Sequence, residues 1–164
     1  MNCPNCGKPA QGGQSICPWC GVLISNLDAG IVAGPGKRLA GHILDIAVWA
    51  LLWIIIAVMI VGGSEPDSGG KAFWGVLLLF ASVIYYFVLL ARGQSYGKWF
   101  LGMKAFHTTG KPAGFCVMLV RETIGKFISG MVFSLGYLWL LWDPDHQTWH
   151  DKLASTVVMV TDRE

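Results

Sequence analysis

The chain has 164 residues, 54% hydrophobic and only 13% charged, with a formal net charge of +2 and a mean hydropathy of +0.52. A soluble domain carries about 25% charged residues, so one small aqueous core is excluded as the place for so much apolar surface, and lipid is the expected solvent. The small positive excess also excludes nucleic acid as the main partner.

Four of the five cysteines lie in the first twenty residues, in two copies of one pattern: Cys3-Pro-Asn-Cys6-Gly and Cys17-Pro-Trp-Cys20-Gly. Two residues between cysteines let both thiolates of a pair face one metal, and the following glycine permits the left-handed turn that aims N–H groups at sulfur. Four thiolates close a tetrahedral site and leave no position for water, which predicts structural Zn2+ held by Cys3, Cys6, Cys17 and Cys20. The alternatives are a redox pair or two disulfides, but the doubled pattern lacks a thioredoxin-like βαβ context. Thiolate ligands suit a reducing compartment, so a cytoplasmic N-terminus is expected, and no signal peptide is visible. Lys8 is the one basic side chain of the ribbon, which favours a protein-contact or folding module over a nucleic-acid reader. The ribbon takes residues 1–24, and the Gly-rich stretch 25–36 reads as a linker.

Residues 37–164 form the membrane domain. Arg38 to Val61 is strongly apolar and about 36 Å long as a helix, enough to cross a bilayer with some tilt. Gly62 to Lys71 reads as an exposed turn, and Ala72 to Ala91 is a second span without any charge. Arg92, Lys98, Lys104 and Lys111 follow it, whereas the first turn holds only Lys71, so the positive-inside rule also places the N-terminus in the cytoplasm. The third apolar region, Ala113 to Trp142, carries Arg121, Glu122 and Lys126, which are costly in lipid unless paired. It is either a single span after an interfacial helix or a hairpin near Gly130 to Gly136 that returns the tail to the cytoplasm. The fold class is therefore an α-helical integral membrane protein, with two clear spans plus this third region, and a small N-terminal zinc ribbon. Thr156 to Val160 reads as a short strand that Met103 to Phe106 can partner. Cys116 reads as a small buried hydrophobe.

Arg38, His42 and Asp45 share one helix face, with Asp45 about 10 Å deeper than Arg38. A carboxylate at that depth needs a partner, which makes it either a structural anchor or a proton or cation site. His150 and Asp151 are adjacent, and no nucleophile is placed to form a triad with them, so a helix cap or ion-pair role is expected and no enzyme activity.

From about Lys37 to Val160 the chain resembles the RDD family of small bacterial membrane proteins, named for one arginine and two aspartates. Arg38 matches the arginine, Asp45 the first aspartate, and Asp151, within Gln147-Thr-Trp-His-Asp-Lys-Leu-Ala-Ser-Thr-Val-Val, the second. The middle signature stands as Gly93-Gln-Ser-Tyr-Gly97-Lys98 with Gly102 following, and Ser155 replaces a common glycine. The resemblance implies a bacterial inner-membrane location and transport of an undefined ligand, sodium–proton exchange among the options. It also implies a polar network of Arg38, Asp45 and Asp151, with His42, His150 and Lys98 as accessories. If Arg38 and Asp151 meet, the membrane is crossed an even number of times, which favours the hairpin. So few spans predict a homo-oligomer for a transporter or cation/proton exchanger. The competing reading is a membrane adaptor whose ribbon recruits a cytoplasmic protein.

Overall fold

The computed structural model describes residues 2–10, 12–61, 68–131 and 135–161. Two long helices, α1 (Pro35–Val61) and α2 (Ser68–Ala91), follow the two apolar runs, and Pro35 pre-sets the backbone of the first turn of α1. Within them, Pro35–Met59 and Gly70–Ala91 are long and apolar enough to cross a membrane. Only 6% and 17% of their most apolar windows is buried against the rest of the protein, so nearly all of that surface needs lipid. The helices run antiparallel: Gly75 faces Met59 at one end, and Trp49 meets Tyr86 edge-on midway, with ring centroids 5.4 Å apart. Most of the expected Gly62–Lys71 turn falls outside the described residues.

At the opposite end, the short helix α3 (Tyr96–Phe100) lies across the start of α1. A Cβ on Gly97 would stand 1.9 Å from the Gly41 carbonyl oxygen, so the two backbones touch and any side chain at 97 would force them apart.

A four-stranded antiparallel sheet caps the same end, made of β1 (Val22–Leu23), β2 (Asn26–Val32), β3 (Met103–His107) and β4 (Thr156–Val160) in the order β1-β2-β4-β3. The expected pairing of the 103 and 156 segments is present, with Ala105 opposite Val158. The expected linker is not. Residues 26–32 form β2, which pairs β1 through a two-residue turn and pairs β4 at Ile31–Val160 and Val32–Met159. Gly30 is a close-approach residue instead of a flexible joint, because a Cβ there would lie 2.0 Å from the Val160 carbonyl oxygen. Ribbon and membrane domain therefore share one sheet. Ile16, Leu23, Ala29, Phe106, Val157 and Met159 form a single core across the expected boundary.

The third apolar region is broken. Helix α4 (Phe115–Val120) continues through a π-helical turn (Arg121–Gly125) into α5 (Lys126–Met131), and α6 (Leu135–Leu138) follows with a 3₁₀ turn to Leu141. The two halves, Phe115–Met131 and Leu135–Leu141, are bent by 107° about residues outside the described set. A Cβ on Gly136 would lie 2.6 Å from Ser129 Cα, so α6 leans on α5 by backbone contact. Because β3 precedes this region, β4 follows it, and the two strands pair, it starts and finishes at the same end of the α1–α2 hairpin. Cys116 is exposed, contrary to expectation, since it lies on the outward, apolar side of α4.

A second clamp joins the ribbon to the C-terminal segment. The Asp145 Oδ1 accepts from the Ser15 and Ile16 backbone N–H groups at 3.0 and 3.1 Å. Asp145→Ala should cost about 1–3 kcal/mol, the range for backbone donors left without their charged acceptor. The loss should appear in thermal unfolding in detergent and as faster hydrogen exchange at Ser15 and Ile16. Unchanged exchange at both amides would show that the clamp does not form in solution.

Candidate functional site

Helix α7 (Trp149–Leu153) is only five residues long and starts with a capping box: the Thr148 hydroxyl accepts from the Asp151 N–H, and the Asp151 carboxylate accepts from the Thr148 N–H. The cap fixes a fully buried carboxylate, and arginines from two other segments converge on it. Arg38 Nη1 donates to Oδ2 at 2.9 Å, and Arg121 Nε and Nη2 reach Oδ1 at 2.8 and 2.6 Å. Arg38 also donates through Nε to the Ala33 carbonyl and through Nη2 to the Val158 carbonyl, so its fork reads both β2's exit and β4. Burial alone would raise the Asp151 carboxyl, but Arg121, His150 and Arg38 outweigh it and hold the group well below the usual carboxylate range.

The π-helical turn turns two consecutive charged residues inward, Arg121 and Glu122, with side chains only 2% and 3% exposed. Glu122 Oε1 takes Lys98 Nζ at 2.8 Å and Arg121 Nη1 at 3.3 Å, and Oε2 pairs with Lys126. Burial draws the Lys98 ammonium down to about 8, with Glu122 opposing. Lys98 in turn donates to Ser95 Oγ at 3.2 Å, and Ser95 donates to Asp45 Oδ2 at 2.8 Å. The Gly97 N–H donates to Asp45 Oδ1 at 2.7 Å.

Arg38 and Asp45 thus do not meet directly, although they share a helix face. They are the two ends of one chain of contacts through Asp151, Arg121, Glu122, Lys98 and Ser95. His42 is not the link between them: its Nδ1 is shielded from solvent without a hydrogen-bond partner among the described residues, and its ring stacks on Tyr137 at 5.6 Å. His150 contacts Ser129 Oγ through Nδ1 at 3.1 Å, and burial lowers its pKa to about 3, which keeps the imidazole neutral at neutral pH. Sequence reasoning noticed Arg121, Glu122 and Lys126 only as costs. The signal was there, since charges inside an apolar run must find partners. Ser95 gave no such signal.

Two cavities adjoin the network. One of about 530 Å³ runs from Pro35 and Arg38 past Leu141 to His150, and one of about 370 Å³ is lined by Trp49, Tyr86 and Glu122. His42, Asp45 and Lys126 line both. Ser155, at the end of α7, has φ of +48°, the left-handed region where glycine is favoured, which gives the family glycine at this position a physical reason.

At the other end of the sheet, the Cys3, Cys6, Cys17 and Cys20 sulfurs all lie within 4.8 Å of one another. The Cys3–Cys20 and Cys6–Cys17 separations are 3.8 Å, far too long for a disulfide and equal to the edge of about 3.8 Å that four Zn–S bonds of 2.3 Å would give a tetrahedron. The residues present fit a metal ion.

If the buried ion pairs carry the fold, removing one partner strands a charge at a cost on the order of 3–5 kcal/mol. Asp151→Ala should therefore destabilise strongly, and the Arg38→Ala/Asp151→Ala double variant should lose clearly less than the two singles added together. Arg38→Ala and Asp45→Ala, which share no contact, should combine almost additively. Thermal unfolding in detergent measures both cycles, and additivity in the first would mean that the ion pair contributes nothing.

Residues 32–155 match the model of the RDD family. A proline-rich antigen of Mycobacterium leprae is 33% identical over 101 residues, which is 58% of this chain and 40% of that protein. A proline-rich antigen homolog of Mycobacterium tuberculosis is 41% identical over 66 residues, 40% of this chain and 27% of the relative. The chain therefore spans well under half the length of these curated relatives. No solved structure matches. With Arg38, Asp45 and Asp151 inside the matched segment, the chain belongs to the RDD family.

Proposed function

We propose that this protein is a bacterial inner-membrane transporter that moves a proton or small cation through Asp45. The observation that carries this reading is the position of Asp45. Among the described residues it is the acid of the network that no cation touches directly, and it stands where the two cavities meet. Ser95 and Gly97 satisfy it with neutral donors, so an arriving proton or monovalent cation breaks no ion pair. A proton and a cation competing for one carboxylate is the minimal chemistry of an exchanger, and an intramembrane acid is the residue expected to carry it. Phe115–Met131 and Leu135–Leu141 act as the two arms of a re-entrant hairpin, and a homo-oligomer completes the walls that two spans leave open. In proteoliposomes an imposed proton gradient should drive cation movement, and Asp45→Asn should bring it to background. Parental flux in that variant would end this assignment.

In this reading the ribbon and sheet are cytoplasmic. A Cys116→Ser background with one added cysteine tests the orientation on intact cells. Lys71→Cys should react with a membrane-impermeant thiol reagent, whereas Thr109→Cys and the ribbon should stay silent. The opposite pattern would invert the topology. The ribbon holds one structural zinc ion per chain, and elemental analysis of freshly purified, reduced protein should find it. Metal-free protein with an intact ribbon would refute that.

One observation favours the adaptor as a second reading. Trp19 is 60% exposed on the ribbon with Lys8 Nζ 4.8 Å from its ring centroid, a surface suited to a protein partner. Background flux from the parent protein under all gradients would favour it.

A further inference from the structure

We propose that the larger cavity is a binding site for an anionic phospholipid, with the head phosphate against Lys126, His42 and Arg38 and an acyl chain along Leu39, Leu138 and Leu141. This goes beyond the transport reading and does not need Asp45 to carry anything.

Charge is the first support. The connected network contains four cations, Arg38, Lys98, Arg121 and Lys126, against three carboxylates, Asp45, Glu122 and Asp151. Among the described residues no other acid lines either cavity, so one positive charge is left over in a poorly solvated place. An unneutralised charge there is costly, and an anion removes that cost. Lys126, with a side chain 21% exposed, is the least buried of the four and the one with room to turn to a ligand. The second support is His42, a residue of the cavity wall whose Nδ1 is shielded from solvent and has no hydrogen-bond partner among the described residues. A turn of the ring toward the cavity, with the proton on Nδ1, would let that nitrogen donate to a phosphate oxygen.

The wall opposite the charges decides between a lipid and a soluble anion. Leu39, Leu138 and Leu141 are 60%, 46% and 54% exposed beside the cavity, and a free phosphate would leave them as they are. An acyl chain covers them. Depth agrees: Pro35 and Gly36, at the very start of α1, line the mouth, which is the level of the headgroups in a helix that begins at the interface. The volume of about 530 Å³ lies in the usual range for small-ligand pockets and suits a headgroup with the upper part of one chain.

The test uses the full-length protein in a non-ionic detergent, titrated with phosphatidylglycerol, with phosphatidylcholine of the same chains, and with inorganic phosphate. Thermal unfolding and native mass spectrometry are read together. Phosphatidylglycerol should bind at one copy per chain, at least tenfold tighter than phosphatidylcholine, and raise the melting temperature where phosphate alone does not. Lys126→Gln should lose at least fivefold in affinity for phosphatidylglycerol and most of its advantage over phosphatidylcholine. Glu122 keeps Lys98 and Arg121 in that variant, so folding should survive. Leu141→Gln, at an exposed position, should weaken both lipids alike. Equal affinity for the two lipids, a full shift from inorganic phosphate, or no change in either variant would overturn the proposal. None of these readouts involves ion flux, so this site and the transport assignment can fail separately.

Discussion

One buried carboxylate, shared by two guanidinium groups, organises this protein. Asp151 comes from a short helix after the last apolar region, Arg38 from the mouth of the first long helix, and Arg121 from a π-helical turn between. A buried ion pair gains little net energy, because desolvation cancels most of the attraction. What it does is forbid alternatives: any arrangement that separates the three segments leaves a charge unpaired in a medium of low dielectric constant. Lipid contacts are nearly indifferent to how apolar helices rotate or slide, so a bilayer protein depends on such polar anchors for its register.

The anchor also has a direction. From Arg38 the contacts run through Asp151, Arg121, Glu122, Lys98 and Ser95 to Asp45, that is, from the sheet toward the α1 segment below it. The middle signature explains itself along this line. Ser95 and Gly97 donate to Asp45, Lys98 reaches Glu122, and the absence of a side chain at Gly97 lets α3 sit on α1. Arg38 reads the sheet at the same time, through the carbonyls of Ala33 and Val158. A change at the sheet is therefore a change at the charge network, with no soft segment between them.

Composition and spacing were enough for the two spans, the clustered cysteines and the β3–β4 pairing, whereas the meeting of Arg38 with Asp151 was implied only by the family resemblance. The first three have a local cause: apolar length, ligand spacing, or a short β-branched run. What stayed hidden depends on contacts distant in sequence. Residues 26–32 looked like a linker because Gly30 has the same letter whether it provides freedom or close approach, and only the Val160 carbonyl tells which. That Asp45 needs a partner is legible from its depth, but the partners themselves, Ser95 and the Gly97 N–H, come from the start of α3, which nothing local to α1 announces. Arg121 and Glu122 read as liabilities because the π-helical turn that carries them inward leaves no mark in hydrophobic periodicity.

The strand order has a bearing on how the chain assembles. β4 lies between β2 and β3, yet it comes after both of them and after every membrane helix. Until it arrives, β2 and β3 each present an unpaired edge to solvent, and Arg38 and Arg121 wait without their shared carboxylate. The long helices can enter the bilayer on hydropathy alone, but the sheet closes and the arginines gain their shared carboxylate only once the segment carrying Asp151 and β4 has docked. One five-residue strand, with the short helix just before it, therefore completes the sheet and the ion pairs alike.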